Sequence, residues 1–210
     1  MLTSFVISSF LLALSPGPDN LYLAALTSDS GKKSGFWFLT GLLIGCLIHT
    51  ILLAFGLNAI ILEYENAFNL IKYFGIIYLI YLSFQVYFSE NNFSGKKIKL
   101  KKSSGVLSNL RKGLMMNLLN PKVFIFFAIF FPNFIFSETV PFKIQIIILG
   151  LIFMIITLLI FGVIILISDI IYEKFSHNSR VRNYIKYFNI IVLLFIALLI
   201  FFTENSITLY

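Results

Sequence analysis

The sequence predicts an all-α polytopic membrane protein with six transmembrane helices in two inverted three-helix halves, the first and fourth helices broken. Three observations predict it. The 210-residue chain is 59% hydrophobic and 17% aromatic, with a mean hydropathy of +0.96, more apolar surface than a soluble domain of this length can hide. Six apolar stretches each supply the roughly 20 residues that a membrane helix needs. Two of these stretches are interrupted, at Ser15-Pro16-Gly17-Pro18-Asp19-Asn20 and at Asn117-Leu118-Leu119-Asn120-Pro121-Lys122.

The spans run at about Leu2–Ser28, Phe36–Leu62, Phe68–Phe88, Gly113–Phe136, Phe142–Ser168 and Tyr184–Thr203. Residues 1–88 make the first half, 89–112 a basic loop and 113–210 the second half. No Lys or Arg precedes Lys32, which argues against a cleaved signal peptide with a basic n-region. Cys46 is the single cysteine. It excludes an intrachain disulfide and reads as a small packing residue.

The net charge of +7 would suggest nucleic acid in a soluble protein, but here the cations fall between spans and act as topology signals. No nucleic-acid partner is expected; the bilayer is the solvent. With the N-terminus outside, three cytoplasmic connections collect thirteen of the sixteen Lys and Arg residues. The outer side then receives Lys72 and Lys143, and Lys122 lies inside a span. Both termini and the Glu63–Glu65 connection are expected outside, with Lys96–Lys112 in the cytoplasm. Three spans per half is an odd number, so two similar halves must point in opposite directions. Tyr64, Tyr73, Tyr87, Tyr172 and Tyr184 sit near span ends, where tyrosine forms interfacial belts.

Each break has chemistry of its own. Pro16, Gly17 and Pro18 remove helix propensity and backbone donors together. Pro18 suits a first helical turn, and Asp19 suits a helix N-terminus. Broken helices at matching places in two halves point to a transporter's binding site. Asp19 precedes Asp29 by ten residues and Lys122 follows Lys112 by ten; at 1.5 Å per residue both are about 15 Å deep, near the midplane. An Asp19–Lys122 contact follows from equal depth. Such a pair either binds substrate or merely locks the halves together.

Pro121 is expected to free the carbonyl of Asn117. Asn117 and Asn120 share a face with Gly113, and Asn120 can cap the helix that follows. Asn117 and Asn120 either touch substrate or satisfy broken backbone. Gly41, Gly45, His49 and Gly56 fall on one stripe of the second span, the spacing of close helix contact. His49 therefore faces the bundle, as a packing residue or a proton carrier.

No nucleotide-binding glycine motif or metal-ligand cluster is present, and His49 and His177 are the only histidines. An intramembrane hydrolase would need two aspartates to meet, and Asp169 at the edge of the fifth span is too far from Asp19. No enzyme activity, cofactor or metal is expected.

Ser15-Pro16-Gly17-Pro18-Asp19-Asn20 followed by a glycine-rich second span resembles the lysine-exporter (LysE/RhtB-type) family of amino-acid translocators. Gly113-Leu114 to Asn117, Asn120-Pro121-Lys122 and Phe131-Pro132-Asn133-Phe134 resemble that family's second signature. The resemblance implies amino-acid export across a bacterial inner (cytoplasmic) membrane, driven by an ion gradient, with a proton the expected coupling ion. A homo-oligomer is compatible with it.

The expected mechanism is alternating access around Pro16, Gly17, Pro18, Asp19, Asn20, His49, Asn117, Asn120, Pro121 and Lys122. The substrate carboxylate would meet Lys122 and helix amides, and its ammonium would meet Asp19. With Asp19 shared, the site lacks an acid for a second positive charge, which favours neutral amino acids such as threonine or homoserine. A basic amino-acid or cation exporter and a non-transporting structural protein are the rival readings.

Overall fold

The computed structural model describes residues 2–15, 17–57, 67–88 and 105–202. Pro16, the Glu63–Glu65 connection, the lysines between 96 and 102 and the C-terminal residues from Thr203 lie outside the described residues. Among the described residues all regular elements are helical.

The first apolar stretch divides into α1 (Leu2–Leu14) and α2 (Pro18–Ser30), with Pro18 at the start of the second helix. Gly31, at φ +83°, lets the chain turn at once into α3 (Lys32–Leu52), a backbone that side-chain-bearing residues rarely adopt. A π-turn (Leu53–Leu57) extends α3. Next comes α4 (Ala67–Phe88), where Lys72 is buried within the helix and not in an outer loop.

The second half opens with α5 (Val106–Leu118), which starts inside the stretch read from sequence as a loop. After Asn120, α6 (Pro121–Ile125) continues through a π-turn (Phe126–Phe130) and a 3-10 turn (Phe131–Phe134). Then follow α7 (Phe142–Leu166), α8 (Ser168–His177) and α9 (Ser179–Phe202). Helix α8 occupies the connection expected between the fifth and sixth spans, and it packs on α2.

Three helices among the described residues are long and apolar enough to cross a membrane: Lys32–Gly56, Phe142–Leu166 and Ser179–Phe202. The pair Val106–Leu118 and Pro121–Phe134, bent by 53°, makes a fourth if taken as one span. These correspond to the second, fifth, sixth and fourth sequence-derived spans; α1 is shorter and apolar.

Two apolar clusters flank the middle of the bundle. One gathers Phe5 of α1, Phe126, Phe127, Phe130 and Phe131 after α6, and Phe153 of α7. Its rings meet at offset and edge-on geometries, with Phe127 and Phe131 centroids 4.3 Å apart and Phe5 edge-on to Phe131 at 5.0 Å, arrangements that suit the ring quadrupole. The other joins Leu23 and Leu26 of α2, Phe38 and Leu42 of α3 and Ile165 of α7. Outward-facing apolar side chains such as Phe74, Leu159 and Ile191 are exposed, as lipid solvation requires.

The largest helix contact is between α3 and α5. A Cβ at Gly41 would run into the carbonyl of Leu110, and one at Gly113 into that of Phe38. The two backbones therefore touch, the close approach small residues permit in membranes. Gly45 continues the stripe against Asn117, while Gly56 has open space around it and takes no part.

Candidate functional site

The two breaks meet. At the first, Pro16 and Pro18 lack the N–H groups that the carbonyls of Leu12 and Leu14 would otherwise receive. Lys122, the second residue of α6, supplies a substitute: its Nζ donates to the carbonyl oxygens of Leu12 at 3.2 Å and Ser15 at 2.8 Å. Asn20 bridges the same gap. Its Nδ2 donates to the carbonyl of Ala13 at 3.0 Å, and its Oδ1 accepts from the Gly17 N–H at 3.4 Å. Ser15 Oγ donates to Asn189 Oδ1, tying the break to α9.

At the second break Asn120 is the cap that its position implies, its Oδ1 accepting from the Lys122 N–H at 3.0 Å. Its Nδ2 donates to Asp19 Oδ2 at 3.4 Å across the interface of the two halves. The Asn117 carbonyl differs from expectation. It accepts the Asn120 N–H at 3.1 Å, because the chain tightens into a turn before Pro121. The orphaned carbonyls are those of the first break.

Asp19 and Lys122 are both buried, and no hydrogen bond joins them. A Cβ built on Gly17 would lie 2.5 Å from Asp19 Oδ1 and 3.4 Å from Lys122 Nζ. The two charges thus face one another across space that only glycine leaves open. Asp19 Oδ1 has no hydrogen-bond partner.

Asp19 lines a small cavity of about 20 Å³ between the two apolar clusters, walled also by Leu42, Val123, Phe153 and Phe161, room for about one water molecule. Asn117 Oδ1 and Thr157 Oγ1, on residues that also line the cavity, are likewise buried without partners. The Asn117 amide is oriented by its Nδ2, which donates to Cys46 Sγ at 3.4 Å. Thr157 was not singled out by sequence, although it is the one polar residue between Gln145 and Ser168. Outside, an open depression of about 530 Å³ between Tyr22, Lys112, Met116 and Asn120 reaches Pro18 and Pro121.

His49 faces the bundle, stacked on Phe127 at 5.3 Å and edge-on to Phe124 at 6.2 Å. Its Nε2 is buried without a partner. Of the residues expected at the site, Gly17, Pro18, Asp19, Asn20, Asn117, Asn120, Pro121 and Lys122 cluster where the breaks meet; His49 touches this cluster through the backbone of Asn117, and Pro16 lies outside the described residues. No group of three or more His, Cys, Asp or Glu able to hold a metal occurs among the described residues.

Two broken apolar helices thus meet around opposite charges buried inside a helical bundle. The chain belongs to the LysE type translocator family, whose pattern it matches over residues 10–203. It is 30% identical over 147 residues to the homoserine/homoserine lactone efflux protein of Salmonella typhimurium, covering 70% of each chain. It is 28% identical over 139 residues to the leucine efflux protein of Enterobacter sp., covering 63% of this chain and 62% of that one. An uncharacterized membrane protein of Vibrio cholerae is 28% identical over 132 residues, 63% of each. The chain thus spans less than two thirds of the length of the latter two relatives. No solved structure matches it.

Proposed function

We propose that this protein exports small amino acids with neutral side chains, of the threonine or homoserine kind, across a bacterial cytoplasmic membrane by alternating access. The observation that carries this reading is the pair of opposite charges, Asp19 and Lys122, held beside one buried cavity without a hydrogen bond between them. A zwitterion complements that arrangement. Its ammonium meets Asp19, and its carboxylate meets the remaining N–H of Lys122 and the free amides at the start of α2.

The cavity wall adds no second acid. A cationic side chain would lie unpaired against Leu42, Phe153 and Phe161, which is costly in so apolar a place. Relatives named for leucine and homoserine efflux agree with a neutral side chain. A cavity of about 20 Å³ is far smaller than an amino acid, so transport requires the broken helices to part. The depression at Lys112 and Tyr22 gives an approach to Pro18 and Asn120.

In this reading six spans form two inverted halves with both termini outside, and a proton gradient drives the cycle. Efflux of preloaded, labelled amino acids from cells overproducing the protein tests it across a panel. Export of neutral amino acids above the vector control is expected. Export of lysine or arginine alone, or of nothing in the panel, would overturn it.

A further inference from the structure

We infer that Thr157 completes a three-acceptor subsite for the substrate's α-ammonium group, together with Asp19 and Asn117, and so makes the transporter select amino acids over the corresponding hydroxy acids. The inference rests on the export reading above and deepens it.

Three residues that line one cavity each carry a buried oxygen: Asp19 Oδ1 from α2, Asn117 Oδ1 from α5 and Thr157 Oγ1 from α7. Their residues are 4%, 3% and 4% exposed, and none of the three oxygens has a hydrogen-bond partner. Buried polar atoms are normally paired, and each unpaired one is destabilising. Three in one place mark a site built for a guest. An ammonium offers three N–H donors and no acceptor, so one guest group satisfies all three oxygens. A divalent metal ion would ask for six or more oxygen ligands.

Thr157 and Thr27 are buried helical threonines whose hydroxyls have no partner, and of the two only Thr157 lines the cavity. Thr40 and Thr50 each turn their hydroxyl back onto the carbonyl four residues earlier, at 2.9 and 2.8 Å, the usual resting place of a helical threonine. Thr157 makes no such bond, and it lines the cavity. The Asn117 amide is positioned by two features. Its amide nitrogen is occupied by Cys46 Sγ, and Gly45 leaves the room, since a Cβ there would lie 2.5 Å from Asn117 Oδ1. Three helices thus converge on the nitrogen, while Lys122 stands beside Asp19 for the carboxylate.

The test uses the full chain in proteoliposomes, with labelled leucine, homoserine and threonine as transported probes. Unlabelled competitors are leucine and 2-hydroxy-4-methylpentanoate, which has leucine's carboxylate and side chain but a hydroxyl for the ammonium. The wild type is expected to prefer leucine over the hydroxy acid by about a hundredfold. Thr157→Val, which keeps the shape and removes the hydroxyl, should weaken leucine about tenfold and leave the hydroxy acid unchanged, the loss of one charge-assisted hydrogen bond. Thr157→Ser should restore the preference.

An unchanged preference in Thr157→Val overturns the subsite while transport by the wild type leaves export standing. Equal losses for both competitors also overturn it, since they show a packing role. A changed sodium dependence at constant preference would assign the oxygens to a metal cation instead. Failure of the wild type to transport any probe would sink the export reading and this subsite with it. If Thr157→Val does not reach the membrane, Thr157→Ala is scored in its place.

Discussion

Lys122 donates through its Nζ to the carbonyl of Leu12 at 3.2 Å, the acceptor that Pro16 deprives of its helical donor. A charged side chain in the second half thereby completes the backbone of a helix in the first. Asp19 has no such structural duty on its free oxygen. The two charges at the breaks are therefore unequal partners.

This asymmetry predicts different failures. Asp19→Asn keeps an oxygen for Asn120 Nδ2, so membrane abundance should stay near wild type while efflux falls at least about tenfold. Lys122→Met leaves the carbonyls of Leu12 and Ser15 buried without that donor, a loss of about 1–3 kcal/mol for each. Abundance and efflux should then fall together. Quantitative immunoblotting of membranes alongside efflux separates the two; normal abundance in Lys122→Met would disprove the backbone role.

The glycine stripe predicts a graded series. Gly41→Ala drives a methyl into the backbone of Leu110, which cannot step aside, and should lower the yield of folded protein. For Gly45→Ala the three nearest atoms are the Oδ1, Cβ and Cγ of Asn117. The substitution should displace the amide at about 1–3 kcal/mol and impair transport more than abundance. Gly56→Ala meets nothing within 4 Å and should behave as wild type. Thermal stability in detergent orders the three.

His49 is stacked on Phe127 and does not line the cavity. His49→Gln should lower thermal stability by about 0.5–1.5 kcal/mol, the worth of an aromatic pair, and leave the pH profile of efflux in place. Loss of that pH dependence would instead make His49 a proton carrier.

Orientation is open to direct labelling. Cys46 is fully buried, so introduced cysteines are read without background from the native thiol. Asn205→Cys should react with an impermeant maleimide from outside, and Asn91→Cys only after the cells are opened. Outside labelling at Asn91 would invert the topology.

Much of the site was legible because proline, glycine and capping residues act locally. Pro18 and Pro121 each begin a helix, Asn120 caps one, and the spacing of Gly41, Gly45 and His49 put all three inside the bundle. What the sequence hid was the identity of partners. Backbone carbonyls have no letter, so neither the hold of Leu12 and Ser15 on Lys122 nor the bond that closes the Asn117 carbonyl is visible in sequence. Thr157 is a lone hydroxyl in an apolar run, but only three-dimensional packing brings it to the cavity.

The bond from Lys122 to the first break also has a consequence in time. Synthesis runs from the N-terminus, so α1 and α2 reach the bilayer before residue 122 leaves the ribosome. Until then the carbonyls of Leu12 and Ser15 lack the donor that the finished protein gives them, and lipid offers none. The nascent first half is chemically unfinished by itself, held at the membrane with an unmet demand that only the later sequence can satisfy. Chains truncated before Lys122 should be short-lived in the membrane, the carbonyls of Leu12 and Ser15 being among the groups they leave unmet.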